Sequence, residues 1–311
     1  MQNYVPFHIP VLATEIISLL VDKNTRYVFD GTLGLGGHAK KILKKYPKIK
    51  KYFATELDSE HIKLAKKNLH SYATKLSLYQ DNFSNIHKIL TIQKKYSPLS
   101  ILFDLGLCSS QIDNPKKGFA FSRDGKLKMS FDNRSSATAQ KLLNTCNQRE
   151  LTQIIRKYGE EPSAKKIAKN IISFRQKKQL ETTEELREII THCVNPKNLS
   201  RTLVRVFQAI RIAVNNELTH LTLSIHNSFK IMHPGDRLGI ISYHSLEDRI
   251  TKQLFVKASS PITKPGIKSL HEIVAPAKFK ILSKKPIRPT KTEIAKNPRS
   301  RSAHLRIIEK I

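Results

Sequence analysis

A glycine-rich segment between residues 30 and 38 has the residue types of a ligand-binding loop. It reads Asp-Gly-Thr-Leu-Gly-Leu-Gly-Gly-His and holds four glycines within seven residues. Because glycine has no Cβ, its backbone can turn sharply and approach a ligand closely. A helix that begins near His38 would point its amide donors and the positive end of its dipole at that ligand. The segment therefore predicts a ligand site at a strand-to-helix turn.

Two ligand classes fit this loop. Gly34, Gly36 and Ala39 match the dinucleotide fingerprint, and an acid at the expected distance, Glu56, can bind the hydroxyls of an adenosine ribose. A related loop occurs in methyltransferases that use S-adenosylmethionine. Asp30 favours this second class, because an acid there can receive the α-ammonium of a methionine moiety and would repel a pyrophosphate. A glycine-rich turn without a ligand is the third interpretation.

Other polar residues follow later strands of the predicted sheet. Asp81-Asn82-Phe83 comes after the third strand, where an acid or an aromatic ring can face an adenine, although an ordinary polar turn is the alternative. Asp104 ends the fourth strand, at the edge where such sheets present their chemistry, and Gln111 lies just beyond it. His244 follows the fifth strand as a possible base or orienting group, with a satisfied structural histidine as the alternative.

Alternating strands and helices predict the element order that would position these residues. The predicted strands span 26–30, 51–56, 76–80, 100–105, 237–243 and 304–308. Predicted helices span 38–46, 59–69 with Ser59 as N-cap, 147–158, 161–174, 183–193 and 246–256, and a long amphipathic run covers 206–229. Thr182 and Glu185 have capping-box spacing. Residues 258–300 are rich in proline and lysine and predict an extended loop.

The alternation indicates an α/β fold with a parallel, doubly wound sheet. No strand is predicted between residues 114 and 212, where the periodicity is helical. The simplest organisation is one discontinuous domain, 1–113 and 213–311, interrupted by an all-helical insertion at 114–212.

The charge of the chain points to an anionic partner. The 311 residues include 55 Lys and Arg against 25 Asp and Glu, for a net charge of +30. An excess this large repels itself unless an anion is near. Nucleic acid is the first candidate and a membrane surface the second, while a lysine-rich composition without a partner is the alternative.

The cysteine spacing and the hydropathy argue against a disulfide-rich, zinc-binding, secreted or membrane-spanning protein. Cys108, Cys146 and Cys193 are too scattered to predict a disulfide scaffold or a structural zinc site, and no metal site is expected. This usage suits a reducing cytoplasm. The N-terminal apolar run, 9–21, is interrupted by Glu15 and lacks a basic leader, so no signal peptide is expected, and no apolar stretch is long enough for a membrane span.

Several segments carry the pattern of a known family. They are His8-Ile9-Pro10-Val11-Leu12 with Glu15, the loop from Asp30 to His38, DLGLCSSQID from Asp104, GFAFSRDG from Gly118, YGEEPSAKKIAKNI from Tyr158, FQAIRIAVNNEL from Phe207, PGDRLGIISYHSLEDRI from Pro234 and NPRSRSAHLRI from Asn297. With these segments the chain resembles, nearly end to end, the RsmH (MraW) family of bacterial ribosomal RNA small-subunit methyltransferases.

The resemblance implies a fold, a reaction and a set of binding residues. The fold would be a class I S-adenosylmethionine-dependent methyltransferase, a Rossmann-like doubly wound sheet with an inserted all-helical domain that could recognise RNA. The reaction would methylate the exocyclic N4 of one cytidine in 16S rRNA, in the decoding region near the P site of the 30S subunit. No membrane partner is implied, and the oligomeric state stays open. Matched residue by residue, the contacts with S-adenosylmethionine fall on Gly36, Gly37, His38, Glu56, Phe83, Asp104 and Gln111.

Catalysis is assigned to Asp104 and His244 on chemical grounds. The amino group of cytosine is a poor nucleophile, and an acceptor on its N–H would help to localise the lone pair; residues 242–245 offer further acceptors.

The loop glycine Gly36 is expected to leave room for the ligand, so that a valine there would fill the ligand's space.

The chain departs from the family at three places. Glu56 stands where the family usually has Asp. Residues 127–132 read Leu-Lys-Met-Ser-Phe-Asp where Leu-Asp-Met-Arg-Met-Asp is usual, which puts a role of this loop in RNA placement in question. Cys108 and Ser110 replace the usual Ser and Pro.

Two other functions remain open from sequence: a nucleotide-dependent oxidoreductase, and a basic RNA-binding or assembly protein whose cofactor fold is vestigial.

Overall fold

The fold divides into two compact units. The structure is a computed structural model that describes residues 9–91, 96–265 and 271–311, so His8 of the first family segment lies outside the described residues. The sheet unit contains the residues up to Gly106 and from Leu218 to Ile311, and the helical unit contains Leu107–Glu217. The helical unit thus extends beyond both ends of the predicted insertion, 114–212.

A seven-stranded sheet forms the centre of the sheet unit. The strands found in the described residues are β1 Tyr27–Asp30, β2 Lys51–Thr55, β3 Leu76–Tyr79, β4 Leu99–Asp104, β5 Arg237–Ser242, β6 Ile262–Pro265, β7 His271–Ala275, β8 Phe279–Ile281 and β9 His304–Lys310. The sheet has the order β3-β2-β1-β4-β5-β9-β8, and β6 pairs with β7 separately. Strands β1 to β5 are parallel, whereas β9 is antiparallel to β5 and to β8. The predicted α/β fold with a parallel, doubly wound sheet is therefore confirmed, with β9 as the antiparallel strand.

Helices cover both faces of the sheet and build the helical unit. They are α1 Ala13–Glu15, α2 Gly37–Lys45, α3 Ser59–Asn68, α4 Ile86–Thr91, α5 Ser109–Asp113, α6 Ala139–Thr145, α7 Gln148–Gly159, α8 Ala164–Arg175, α9 Thr183–Thr191, α10 Pro196–Asn215, α11 Glu217–Ile231, α12 Ser245–Ala258 and α13 Lys291–Lys296. A π-helical turn follows α1 at Ile16–Leu20, and 3₁₀ turns lie at His70–Lys75, Phe83–Asn85, Pro115–Lys117 and Pro298–Ser302. No helix in the described part of the chain is both long and apolar enough to cross a bilayer.

The apolar runs of the strands are explained by burial on both faces. Successive side chains of a strand point to opposite faces. Val28 and Leu102 therefore join one buried cluster, with Ile42 of α2, while Phe29 and Phe103 join the cluster on the other face. Such two-sided burial is typical of parallel sheets and leaves the strand ends as the places for polar chemistry.

The helical unit has a core of its own. Its buried side chains include Leu151 and Ile155 of α7, Ile167 of α8, and Val206 and Ile210 of α10. Helices α7 and α10 approach closely at Gly159, where an added Cβ would lie 2.6 Å from the Arg205 carbonyl oxygen. The predicted capping box at the start of α9 is confirmed, because Thr182 accepts from the Glu185 amide and the Glu185 carboxylate accepts from the Thr182 amide.

Several helix boundaries differ from the prediction. The amphipathic run 206–229 belongs to two helices, α10, which begins ten residues earlier at Pro196, and α11, and Asn216 separates them at a φ of +49°. Asparagine tolerates this left-handed conformation, and the apolar spacing continues across it, which is why the periodicity did not reveal the break. Helix α3 is capped by Asp58, whose side chain accepts from the Glu60 amide, and not by Ser59.

The predicted extended loop at 258–300 is wrong for much of its length. The structure places β6, β7, β8 and α13 there, while residues 266–270 lie outside the described residues. Strand β8 forms because it pairs with β9 and buries Phe279 against Phe229, with ring centroids 4.5 Å apart. Long-range pairing of this kind outweighs local composition, which is rich in Pro and Lys here.

Candidate active site

The glycine loop joins β1 to α2 with two residues in the left-handed region. Gly34 has a φ of +52° and Gly36 a φ of +83°. A Cβ on Gly34 would meet only the Thr32 carbonyl oxygen, at 4.0 Å, so this position faces open space. A Cβ on Gly36 would lie 2.8 Å from the Leu69 side chain, which is completely buried. The expectation that a side chain at Gly36 would fill the ligand's space is therefore wrong, since it would meet the core instead.

Glu56 fastens the glycine loop to the end of β2. Its Oε2 accepts from the Gly34 amide at 2.9 Å, and its Oε1 accepts from the Asp58 amide at 2.9 Å. His61 Nδ1 lies 3.8 Å from Oε2. A carboxylate has about four acceptor sites, so the predicted bonds to ribose hydroxyls remain available beside this structural role.

We expect Glu56→Ala to weaken donor binding and to destabilise the protein. Removing the carboxylate leaves the Gly34 and Asp58 amides without their acceptor and removes the predicted charged partner of the ribose. Each loss of this kind costs about 1.5–3 kcal/mol. Calorimetry with S-adenosylmethionine and thermal unfolding should both report the change, whereas Glu60→Ala, which removes an exposed acid from the same turn, should change neither. Unchanged donor affinity together with reduced turnover would contradict the ribose assignment.

Asp30 is buried at the end of β1 and holds the first turn of the loop. Its Oδ1 accepts from the Thr32 amide at 3.1 Å and its Oδ2 accepts from the Tyr52 hydroxyl at 2.9 Å. Burial raises the pKa of Asp30 to about 6, against the opposing effect of the nearby His38. Both of its oxygens are thus engaged within the sheet unit, and the contact with an α-ammonium group stays a prediction.

Asp104 lies at the centre of a polar cluster. Its amide donates to Thr32 Oγ1 at 2.7 Å, and its Oδ1 accepts from the Tyr243 hydroxyl at 2.9 Å. His38 Nε2 lies 3.3 Å from Asp104 Oδ2. That nitrogen is buried and is not aligned for a hydrogen bond with any described residue. A carboxylate beside an unsatisfied ring nitrogen suits a ligand with both an amino and a carboxylate group.

These contacts fit S-adenosylmethionine. Glu56 can accept from the ribose hydroxyls, and Asp104 and His38 can hold the methionine end. Glu56 and Asp104 each bind the glycine loop, Glu56 at the Gly34 amide and Asp104 at the Thr32 hydroxyl. The fit rests on the types of the donor and acceptor groups and on the backbone geometry of the loop.

The other predicted binding residues have separate places. Gly37 begins α2, and Phe83 begins the 3₁₀ turn after β3, where its half-buried ring lies 5.2 Å from that of Phe103. Gln111 belongs to the helical unit, where its Oε1 accepts from the Cys108 amide at 3.1 Å and caps α5. Binding roles for these residues stay predictions.

His244 is the N-cap of α12. Its Nδ1 accepts from the Glu247 amide at 3.5 Å, and its Nε2 lies 3.2 Å from Glu247 Oε1. The Glu247 carboxylate also accepts from the Tyr243 amide at 2.8 Å. The structure thus makes His244 a helix cap, but its Nε2 is buried and makes no hydrogen bond with a described residue, so it is not the fully satisfied histidine of the alternative interpretation. Its catalytic role stays a prediction.

Two residues that bind Asp104 were not named individually from the sequence: Thr32, and Tyr243, which lies within the range 242–245 that was expected to offer acceptors. Tyr243 directly follows β5, at the same edge of the sheet as Asp104, and this position was the available signal. Thr32 lies inside the glycine loop, but nothing in its spacing indicates that its hydroxyl binds the end of β4.

Comparison with known proteins identifies the family. Residues 6–311 match the model described as the MraW methylase family. The chain is 42% identical over 307 residues to a ribosomal RNA small subunit methyltransferase H of Caldicellulosiruptor saccharolyticus, covering 98% of this chain and 99% of the relative. Proteins of the same name from Chlorobium limicola and Buchnera aphidicola are 39% and 40% identical over 318 and 313 residues. These matches cover 98% and 97% of both chains, respectively. This chain belongs to the MraW methylase family.

Proposed function

We propose that this chain transfers a methyl group from S-adenosylmethionine to the exocyclic N4 of one cytidine in the 16S rRNA of the small ribosomal subunit. Family membership supports a methyltransferase and its methyl donor. The names of the relatives support small-subunit rRNA as the substrate. The observation that carries the proposal is the cluster of Asp104, His38 and Tyr243 beside the glycine loop.

Asp104 can act on either reactant. Bound S-adenosylmethionine supplies a sulfonium methyl group for an in-line displacement. The enzyme has to hold the cytosine amino group close to this methyl group, and such alignment lowers the barrier by several kcal/mol. The carboxylate can hold the amino end of the donor, or it can accept a hydrogen bond from the cytosine N4 and so make its lone pair more available. The target cytosine has to unstack from its neighbouring bases before its amino group can reach Asp104 at the end of β4.

Two groups of exposed cations can contact the RNA backbone. Lys165, Lys166 and Lys169 lie exposed on α8 of the helical unit. The second group lies on the sheet unit, at Lys284, Lys285, Arg288, Arg299 and Arg301, all of them exposed. We assign the helical unit to RNA recognition, because α8 exposes three lysines within five residues on one side. Its other side is apolar and is buried in the core of the helical unit.

Methylation of isolated 30S subunits tests the function. The protein should transfer tritiated methyl groups from S-adenosylmethionine to 16S rRNA, and mass mapping should place the modification on N4 of a single cytidine. Subunits from cells that lack this chain are the substrate, and subunits already modified are the control. Binding of 30S subunits without methyl transfer would instead support an assembly protein with a vestigial cofactor site.

The salt dependence of RNA binding tests whether α8 forms part of the RNA-binding surface. The logarithm of affinity should fall linearly with the logarithm of salt concentration, by roughly 0.7–0.9 for each phosphate neutralised. Changing Lys165, Lys166 and Lys169 together to Gln should reduce the slope by about 2–3. The matched control changes Lys41, Lys44 and Lys45 on α2 to Gln, which removes equal charge from exposed positions outside the proposed surface. If both triple variants had the same slope of log affinity against log salt concentration, α8 would not be part of the RNA interface.

A further inference from the structure

Tyr243 is placed against Asp104 by the register of two strands. Asp104 pairs with Ile241, so the residue that follows β5 comes out beside the carboxylate at the end of β4. The Tyr243 hydroxyl donates to Asp104 Oδ1 at 2.9 Å. The position is therefore set by the sheet and does not depend on a surface loop.

Packing holds the Tyr243 ring in this place. Gly106 has a φ of +92°, and a Cβ there would lie 3.4 Å from Tyr243 Cδ2, so the ring packs closely on the backbone after β4. The Tyr243 amide donates to Glu247 Oε2 at 2.8 Å, which fastens the backbone to α12. These contacts hold both the ring and the backbone of Tyr243 beside Asp104.

Burial and the surrounding negative charges keep the Tyr243 hydroxyl protonated. Burial, the negative charge of Asp104, the hydrogen bond to Asp104 and the charges of Glu247 and Glu293 raise the pKa of Tyr243 far above its ordinary value. A phenol in such a place stays a hydrogen-bond donor and does not act as a base. Tyr243 thus supplies Asp104 with a permanent neutral donor.

We propose that Tyr243 is a positioning residue, which orients the Asp104 carboxylate so that Oδ2 faces His38 and the donor site. This role rests on the methyl transfer proposed above. With Oδ1 occupied by the hydroxyl and the Asp104 amide bound to Thr32, the second oxygen has a defined direction before the donor arrives. Preorganisation of this kind removes the cost of ordering the carboxylate on binding.

Tyr243→Phe tests the proposal, because it keeps the ring and removes the hydroxyl. The hydrogen bond is present before the donor binds, so its loss adds only the cost of ordering one side chain on binding. The dissociation constant for S-adenosylmethionine, measured by calorimetry without RNA, should therefore rise roughly twofold to tenfold. In an Asp104→Ala background the same change should alter affinity less than about twofold, because the partner is already gone. In turnover assays the donor KM should rise more than kcat falls.

Tyr46→Phe is the matched control. The Tyr46 hydroxyl donates to backbone carbonyls of Ile17 and Val21 in the same unit, at 2.7 and 2.9 Å. Its loss should lower the melting temperature and leave donor affinity unchanged. Parental donor affinity in Tyr243→Phe, or equal losses in the parental and Asp104→Ala backgrounds, would overturn the positioning role. Because calorimetry uses no RNA, a failure to methylate 30S subunits would count against the proposed substrate alone.

Discussion

Gly36→Val should abolish measurable donor binding and lower the free energy of unfolding by about 2–5 kcal/mol. A non-glycine residue at a φ of +83° costs about 1–2 kcal/mol, and overpacking a core costs about 1–3 kcal/mol more. The clash is with Leu69, at 2.8 Å from the position of the added Cβ. Because Gly36 precedes α2, the strain would displace the loop that carries the ligand. Thermal unfolding and calorimetry with S-adenosylmethionine measure the two effects.

Two further variants distinguish strain and a clash with Leu69 from direct blocking of the donor site by the new side chain. Gly34→Ala places a similar strain at a φ of +52° but meets nothing closer than 4.0 Å, so it should cost only about 1–2 kcal/mol. The double variant Gly36→Ala with Leu69→Ala relieves the clash and should bind the donor better than Gly36→Ala alone. If Gly36→Val were as stable as the parent and still failed to bind, its side chain would have to occupy the donor site itself.

Asp104→Asn should weaken donor binding by about 1.5–3 kcal/mol while the protein stays folded. The amide keeps an oxygen for the Tyr243 hydroxyl and keeps the backbone bond to Thr32, but it removes the charge that faces His38. If Asp104 serves the donor, saturating S-adenosylmethionine should restore most of the single-turnover rate. Rapid-quench assays on 30S subunits, at donor concentrations above the dissociation constant, give this rate.

The opposite kinetic result would assign Asp104 to the nucleophile. A single-turnover rate that stays low at saturating donor means that the carboxylate also acts on the cytosine amino group. Glu60→Gln is the control, since it neutralises an exposed acid on α3 that is not among the predicted binding residues. Full activity of Asp104→Asn at ordinary donor concentration would exclude both roles, and His244 would become the principal catalytic candidate.

The strands that position the site were predictable because their apolar runs have a single physical cause. Strands β1, β2, β4 and β5 are buried on both faces, and each lies within about two residues of its predicted range. The glycine loop and the acids at the strand ends follow from the same pattern. The capping box at Thr182 was also predictable, since it depends on residues three apart.

The remaining contacts depend on groups that are distant along the chain. Glu56 binds the Gly34 amide, Tyr243 binds Asp104, and no local spacing encodes either pair. The direction of Gly36 toward Leu69 likewise requires the packing of α2 against α3. Sequence patterns therefore predicted candidate site residues, whose binding roles stay predictions, whereas the structure shows which of them hold one another in place.

The discontinuity of the sheet unit has a consequence for the order of folding during synthesis. The helical unit is contiguous, from Leu107 to Glu217, and can fold as soon as that stretch has left the ribosome. The first four strands emerge earlier, but β4 pairs with β5, more than a hundred residues later, and β5 in turn pairs with β9. Until then one edge of β4 stays open, and an open edge can pair with other chains. Early folding of the helical unit would shorten the effective loop between β4 and β5, and so speed the closure of that edge.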